Sequence, residues 1–273
     1  MVVKKEEHSG NERVEALVAK LASSRKYGNV HTPTLRRVAA SALRGRSPAE
    51  AQKRAKAFLH QTWGSYYRGT PDFKKALADI RKRAGSVSLK ELFSPALSLQ
   101  SSTNERLPFL DEFYKQVFAV TGVPRVAVDE GCGLNPLTLP WMGLPDGAAY
   151  YGFDIDKAMV EFVQGALGAA GLSRQARISL GDALLHEAPD ADVTFMLKLL
   201  PPLELQEKGS AIAAMRKAKS RYLVVSFPTA TLSGKKKGME AFYDSWFKNI
   251  IGAKGWKFEK IRFPTELVFV VQK

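Results

Sequence analysis

The stretch from Val126 to Leu137 reads V-A-V-D-E-G-C-G-L-N-P-L. Three small apolar residues run into Asp129, and Gly131 and Gly133 follow at D-x-G-x-G spacing. The pattern predicts a buried strand, a tight glycine turn and a helix starting near Pro136. In an open α/β sheet, that turn is where the chain approaches a nucleotide cofactor, at the carboxyl end of the first strand. The form of the turn selects the cofactor. A dinucleotide fingerprint is G-x-G-x-x-G and requires no acid before it. Here an acid stands two residues before the first glycine and the third glycine is missing, which fits S-adenosylmethionine better.

Outward from this turn the chain alternates. Strands are predicted at 125–129, 148–154, 175–180, 191–198, 221–227, 256–263 and 266–272, and helices at 136–142, 156–169, 204–218 and 238–252. Alternation predicts a parallel sheet with helices on both faces. The last two strands are joined tightly through Pro264, so they should pair antiparallel. The fold class is therefore α/β: a Rossmann-like seven-stranded sheet that resembles the class I SAM-dependent methyltransferases, here preceded by an all-helical extension.

That extension stands out by charge. The 273 residues carry a formal net charge of +14, with 45% hydrophobic and 25% charged residues. Residues 1–95 hold 20 Lys/Arg against 8 Asp/Glu, whereas residues 96–273 hold 21 against 19. The asymmetry points to a polyanionic partner for the N-terminal segment. The expected domains are a basic helical docking domain over 1–95 and a methyltransferase domain over 96–273. Residues 1–11 read as frayed. Helix starts are visible at Thr32-Pro33-Thr34, at the Ser47–Glu50 capping box and at Pro71. A polar stretch from Ser101 to Glu105 precedes a helical face made of Leu107, Leu110, Phe113, Tyr114, Val117 and Phe118. A single cysteine excludes an internal disulfide, the four histidines show no metal-ligand spacing, and no apolar run has the length of a membrane span. A cytoplasmic chain with neither metal nor membrane partner is expected.

The residues able to carry chemistry sit at predicted strand ends. Asp154 ends Y-Y-G-F-D, 21 residues after Gly133, at the distance where an acid accepts from ribose hydroxyls. Its alternative is a helix N-cap, a role for which Asp156 is better placed. Asp182, in S-L-G-D-A-L after strand three, is placed to accept from an exocyclic adenine amine or to cap a helix. With Asp129 these acids form a constellation of three. Lys198 follows strand four in F-M-L-K-L-L-P-P. Enzymes that methylate exocyclic amines place an acceptor there. A lysine only donates, which favours a nucleophile that already owns a lone pair, such as a ring nitrogen. Lys235, Lys236 and Lys237, between two glycines after strand five, suit phosphate contact.

Taken together these residues resemble a known family, the aminoglycoside-resistance 16S rRNA methyltransferases that modify N7 of a decoding-site guanine. The resemblance is carried in order over about residues 14–272. It comprises K-Y-G (26–28), T-L-R-R-V (34–38), L-H-Q-T-W-G-S-Y (59–66), S-S-T-N-E-R (101–106) and T-G-V-P (121–124). D-E-G-C-G-L-N-P (129–136), Y-G-F-D-I-D (151–156) and Gly181-Asp182 continue it. L-K-L-L-P-P-L-E (197–204) with Gln206, V-S-F-P (225–228) and G-K-K-K-G-M-E (234–240) complete it.

The resemblance implies S-adenosylmethionine as cofactor and 16S rRNA in the assembled 30S subunit as partner, with the protein acting as a monomer. It implies that Gln100, Ser101, Ser102 and Arg106 meet the methionine end of the cofactor. Gly131 would approach the methionine or ribose, Asp154 would hold the ribose, and Asp182 with Ala183 would face the adenine. Leu197 and Gln206 would line the remainder, Trp63 would close over the cofactor, and Lys198 would face the guanine. Arg36, Arg37 and the three lysines of the 235–237 run are expected on rRNA. Two departures stand out: Gln100 occupies a position where histidine is common, and the lysine run replaces an arginine, keeping charge but losing its bidentate geometry. The rival readings are methylation of another rRNA or tRNA base, methylation of a small molecule, which would leave the basic module unexplained, and a non-catalytic ribosome-binding protein.

Overall fold

A computed structural model describes residues 2–60, 71–229, 238–252 and 254–273, with side chains from Gly10 onward. Seven strands form one sheet: β1 (Val126–Glu130), β2 (Ala149–Asp154), β3 (Ala176–Leu180), β4 (Ala191–Leu197), β5 (Ser220–Pro228), β6 (Lys257–Arg262) and β7 (Glu266–Gln272). Their order is β3-β2-β1-β4-β5-β7-β6. The first five pair in parallel, and β7 pairs antiparallel with both β5 and β6. Every predicted strand is present within a few residues, and the closing antiparallel pair is the expected one.

The sheet buries both faces by simple alternation. Val193 and Phe195 on β4, Val224 on β5, and Val268 and Val270 on β7 enter one apolar cluster. Met196, Leu223, Val225, Phe227, Leu267, Phe269 and Val271 enter the other. Successive side chains on a strand point to opposite faces, so an unbroken apolar run feeds two cores at once. Helices α4 (Phe73–Arg83), α5 (Leu89–Leu97), α7 (Leu110–Thr121), α8 (Leu139–Met142) and α9 (Lys157–Ala169) cover the first face. On the second lie α10 (Leu200–Gln206), α11 (Ser210–Lys217) and α12 (Met239–Gly252).

The basic helices α1 (Val2–Ala22), α2 (Thr32–Leu43) and α3 (Pro48–Leu59) close around a third cluster. Ala39, Ala42, Ala51 and Ala55 are fully buried there, so the helices approach closely. The Ser47–Glu50 capping box forms as predicted, with the Ser47 hydroxyl accepting from the Glu50 amide and the Glu50 carboxylate accepting from the Ser47 amide.

Four sequence expectations differ from the structure. The segment 1–95 does not share one core: α4 and α5 belong to the sheet's first cluster, with Phe73 stacked on Phe162 of α9 at 4.8 Å. Apolar packing therefore divides the chain after α3, whereas charge divides it near residue 95. Residues 2–11 are helical, as the start of α1. The polar run at 101–106 is a short helix, α6 (Ser101–Arg106), steadied by the Thr103 hydroxyl, which donates to the Leu97 carbonyl at 2.5 Å. The single helix expected over 204–218 is two. Gly209 takes a left-handed φ of 89°, and the Glu204 carboxylate accepts from the Gly209 and Ala211 amides across the break.

Candidate active site

The strands β1 to β4 all end at one cleft, at the point where the chain's strand order reverses between β1 and β4. Gly131 follows β1, Asp154 ends β2, Asp182 follows β3, and Leu197 and Lys198 close β4; all five line the cleft. The turn after β1 needs glycine at two places. Gly131 has φ 65°, and a Cβ there would meet Leu199 Cδ1 at 2.8 Å. Gly133 has φ 50°, and a Cβ would lie 2.5 Å from Gln100 Oε1. That same Gln100 oxygen accepts from the Leu134 amide at 3.0 Å, so the side chain buttresses the turn from within the cleft wall.

Asp154 is oriented by its surroundings. One carboxylate oxygen accepts from the Gly133 amide at 2.9 Å and the other from the Asp156 amide at 3.1 Å. Burial pushes its carboxyl up to about 6, and these backbone donors oppose the shift. Asp156 caps α9, accepting from the Ala158 and Met159 amides, so the capping role falls to it. Asp182 Oδ1 accepts from the Leu184 amide at 3.0 Å, and Oδ2 from Arg37 at 2.9 Å.

Asp129 departs from the expected constellation of three acids. It is buried and points beneath the turn, accepting from Asn135 Nδ2 at 2.8 Å and from the Tyr150 hydroxyl. Burial raises its carboxyl to about 7. Asn135 in turn accepts from Arg106 Nη1 at 3.0 Å. Arg106 is 1% exposed and forks onto Glu266, with contacts of 2.9 and 2.5 Å. Glu266, the first residue of β7, is fully buried, and its carboxyl is held below the usual range by Arg106 and Lys198 against the upward pull of burial.

Lys198 is the one non-glycine residue with positive φ (58°) among the described residues. Left-handed backbone is strained for a lysine. Its amide donates to the Ser226 carbonyl at 3.0 Å, and its ammonium meets Glu105 at 2.7 Å and Glu266 at 3.2 Å. The ammonium and the guanidinium of Arg106 thus share one buried carboxylate at the cleft wall.

Of the residues expected at the cofactor, Gln100, Ser102, Arg106, Gly131, Asp154, Asp182, Ala183, Leu197 and Gln206 line this cleft together with Lys198. Ser101 is half-buried at the start of α6 and does not line it. Trp63 and the lysine run 235–237 lie outside the described residues. Arg36 is exposed and paired with Glu15, whereas its neighbour Arg37 is drawn into the cleft. Sequence reading missed Glu105, Asn135 and Glu266. The signal for Glu266 was a carboxylate leading the wholly apolar run L-V-F-V-V; a charge at the head of a buried strand needs a partner.

The donors and acceptors present suit a nucleoside that ends in an amino acid. Two buried polar atoms on the cleft wall, Arg37 Nη1 and Gln206 Oε1, have no partner within the protein. Gly131 itself lines the cleft, where a residue without a side chain lets the backbone approach a ligand. A guanidinium at one end suits a carboxylate, and carboxylates farther along suit hydroxyls and an amine. No group of His, Cys, Asp and Glu among the described residues could hold a metal ion. Nor is any described helix long and apolar enough to cross a membrane.

Comparison with known proteins agrees with this geometry. The family described as ribosomal RNA methyltransferase (FmrO) matches residues 23–270. The chain is 36% identical over 273 residues to a 16S rRNA (guanine(1405)-N(7))-methyltransferase of Micromonospora rosea, covering 97% of this chain and 98% of that protein. It is 32% identical over 274 residues to a protein of the same description from Proteus mirabilis, covering 95% and 97%. Among solved structures it is similar to the 16S rRNA methyltransferase RmtF in complex with S-adenosyl-L-homocysteine, with TM-score 0.80, 36% identity and coverage of 96% and 98%. It is also similar to the 16S rRNA methylase RmtB, with TM-score 0.75, 27% identity and coverage of 95% and 98%.

Proposed function

This chain belongs to the FmrO family of ribosomal RNA methyltransferases, and on that premise we propose that it transfers a methyl group from S-adenosylmethionine to N7 of guanine 1405 in 16S rRNA. The observation that carries the reading is the convergence of Gly131, Asp154, Asp182, Arg106 and Lys198 on one cleft at the ends of β1 to β4.

Each side chain has a task suited to its chemistry. Arg106 offers the N–H groups left over from Glu266 and Asn135 to the amino-acid carboxylate. Asp154, aimed by the Gly133 and Asp156 amides, accepts from the ribose hydroxyls. Asp182 accepts from the adenine amine, and Gln206 Oε1 supplies a further acceptor along the wall. The bound cofactor would supply an electrophilic methyl group for the guanine nitrogen.

N7 carries no proton, so no residue has to act as a base. Lys198 fits that requirement, because an ammonium bracketed by two carboxylates donates and does not accept. Its left-handed backbone stands just past the end of β4, and its buried ammonium meets Glu105 and Glu266 at the cleft wall that a flipped base would approach. The protein's contribution to rate is then orientation, holding nucleophile and methyl group in near-attack geometry. Reaching the cleft requires the guanine to leave its stack.

The rRNA is presented in the assembled 30S subunit, in the cytoplasm, and the basic helices supply the phosphate contacts that dock a single copy of the enzyme there. The methylated guanine carries a positive charge, which opposes a cationic aminoglycoside bound beside it and gives resistance. The test is transfer of labelled methyl from S-adenosylmethionine into isolated 30S subunits, followed by mapping of the modified base. Label at guanine 1405 is the expected outcome. Label on another base would sink the target assignment, and cofactor binding without transfer would favour a non-catalytic ribosome-binding protein.

A further inference from the structure

Arg36 and Arg37 are neighbours on α2, yet the structure separates their roles. Arg36 faces solvent and pairs with Glu15 at 2.6 Å, half exposed. Arg37 turns inward, where its side chain is 13% exposed. Its Nε and Nη2 both lie 2.9 Å from Asp182 Oδ2. Its remaining terminal nitrogen, Nη1, is buried on the cleft wall with no partner in the protein.

The helix that carries Arg37 is fastened along the cleft. Just before α2, Val30 forms an isolated antiparallel bridge with Asp156, and the His31 amide donates to the Ile155 carbonyl at 2.7 Å. Farther along α2, the Ser41 hydroxyl donates to the Gln206 carbonyl, and past its end Arg44 pairs with Glu207 at 2.7 Å. One wall of the nucleoside cleft is therefore built by the basic helical module.

We propose that Arg37 is a positioning residue of the cofactor site and reads the adenine base through Asp182, although it belongs to the module whose charge serves RNA. Clamping Oδ2 while the Leu184 amide holds Oδ1 leaves the Asp182 carboxylate one orientation, with a lone pair on Oδ1 to spare for an amine. Beside that acceptor stands the donor Nη1. An acceptor next to a donor is the complement of an adenine edge, where the exocyclic amine donates and the adjacent ring nitrogen accepts. Hypoxanthine, with a carbonyl oxygen in place of the amine, sets an acceptor against the carboxylate. A site built to hydrogen-bond a group discriminates strongly against a ligand that lacks it. Removing Arg37 leaves Asp182 buried beside the cleft without its partner cation, which is costly.

The inference rests on the cofactor reading above, and its test separates the two. Calorimetry on the full chain measures affinity for S-adenosylhomocysteine and for its hypoxanthine analogue, S-inosylhomocysteine. Wild type should prefer the adenine form by at least about a hundredfold. Arg37→Ala should weaken S-adenosylhomocysteine binding by about tenfold or more and shrink the preference by a similar factor. Arg37→Lys should recover part of the affinity but not the preference, because a single ammonium nitrogen cannot hold Asp182 and also present a donor from a separate nitrogen to the base, as the planar fork does. Arg36→Ala should change neither. Loss of preference marks a residue acting on the base, since a purely structural defect would weaken both nucleosides alike. Unchanged affinity and preference in Arg37→Ala would overturn the inference alone; if that variant does not fold, the same result in Arg37→Lys does so. A wild type that binds neither nucleoside would overturn the cofactor reading and this inference with it.

Discussion

Arg36 with Glu15 and Arg106 with Glu266 are both arginine–glutamate pairs, and the two regions that hold them use charge in opposite ways. The first pair lies on the surface of the basic helices at 2.6 Å, about half exposed. Solvent screens it and salt weakens it further. The second lies against the sheet at 2.5 Å and is almost wholly buried. There each charge depends on its neighbours: Glu266 accepts from Arg106 and meets Lys198, which also meets Glu105. In the helices the identity of one cation matters less than the sum of the field. In the cleft the sum is close to neutral and every position counts.

The contrast breaks most sharply at Arg106. Arg106→Ala strips a buried carboxylate of its main partner, which should cost about 3–5 kcal/mol of folding free energy by urea titration. A loss below about 1 kcal/mol would mean that Glu266 finds water or protonates freely, and the buried set would then behave like the surface one.

Lys198 comes next. Lys198→Ala should lower single-turnover methylation of 30S subunits by about a hundredfold, while S-adenosylhomocysteine affinity changes by less than about 1 kcal/mol. The wild-type rate should also lack the tenfold rise per pH unit that a required deprotonation produces near neutral pH. Such a rise, abolished in Lys198→Arg, would make the lysine a base and the N7 target wrong.

The third test titrates the buried region directly. Asp129 has its carboxyl raised to about 7 by burial, from an ordinary 3.8. Between those values the folded chain keeps a proton that the unfolded chain has lost. Stability should therefore fall as pH rises from about 4 to 7 and level off above. Asp129→Asn has no such proton. Its carbonyl oxygen can still accept from Asn135 and Tyr150, which both use one carboxylate oxygen. Measured against wild type, the variant should gain about 2–3 kcal/mol between pH 5 and pH 8. A difference independent of pH would show that Asp129 is already ionised in the fold.

The smallest single-site effect belongs to the surface. Arg36→Glu should weaken 30S binding by about tenfold at low salt and flatten its dependence on salt concentration by about one phosphate contact, with nucleoside affinity unchanged. Filter binding across a salt series reads both. If affinity drops equally at every salt concentration, Arg36 is holding a shape instead of contributing to a field.

Much of the architecture was legible because its signals are local. Short, mostly apolar runs bounded by Gly, Pro or Asp mark the strands that cross the core, and the charged edge strand β6 was found beside them from its tight link to β7 through Pro264. Ser47 and Glu50 form a capping box three residues apart, and that box announces α3 without reference to anything distant. The glycine turn after β1 is local as well, since its φ values require glycine whatever ligand follows. The break at Gly209 was harder to see. The pattern on either side is helical, and only the Glu204 carboxylate folding back onto two amides stabilises the interruption.

Amino-acid sequence alone thus determined the α/β class, the strand ends where chemistry gathers, the excess of positive charge near the N-terminus and the motifs of the rRNA methyltransferase family. The tertiary structure alone decided which charges meet. Arg37 touches Asp182 across 145 residues, and Arg106 touches Glu266 across 160. Asp129 turned beneath the glycine turn while Asp154 and Asp182 reached the cleft. The physical reason is range: backbone propensity and side-chain periodicity act over a few residues and are written in order along the chain. An ion pair depends on a separation of a few ångströms, and that separation is set only when the helices and the sheet have packed.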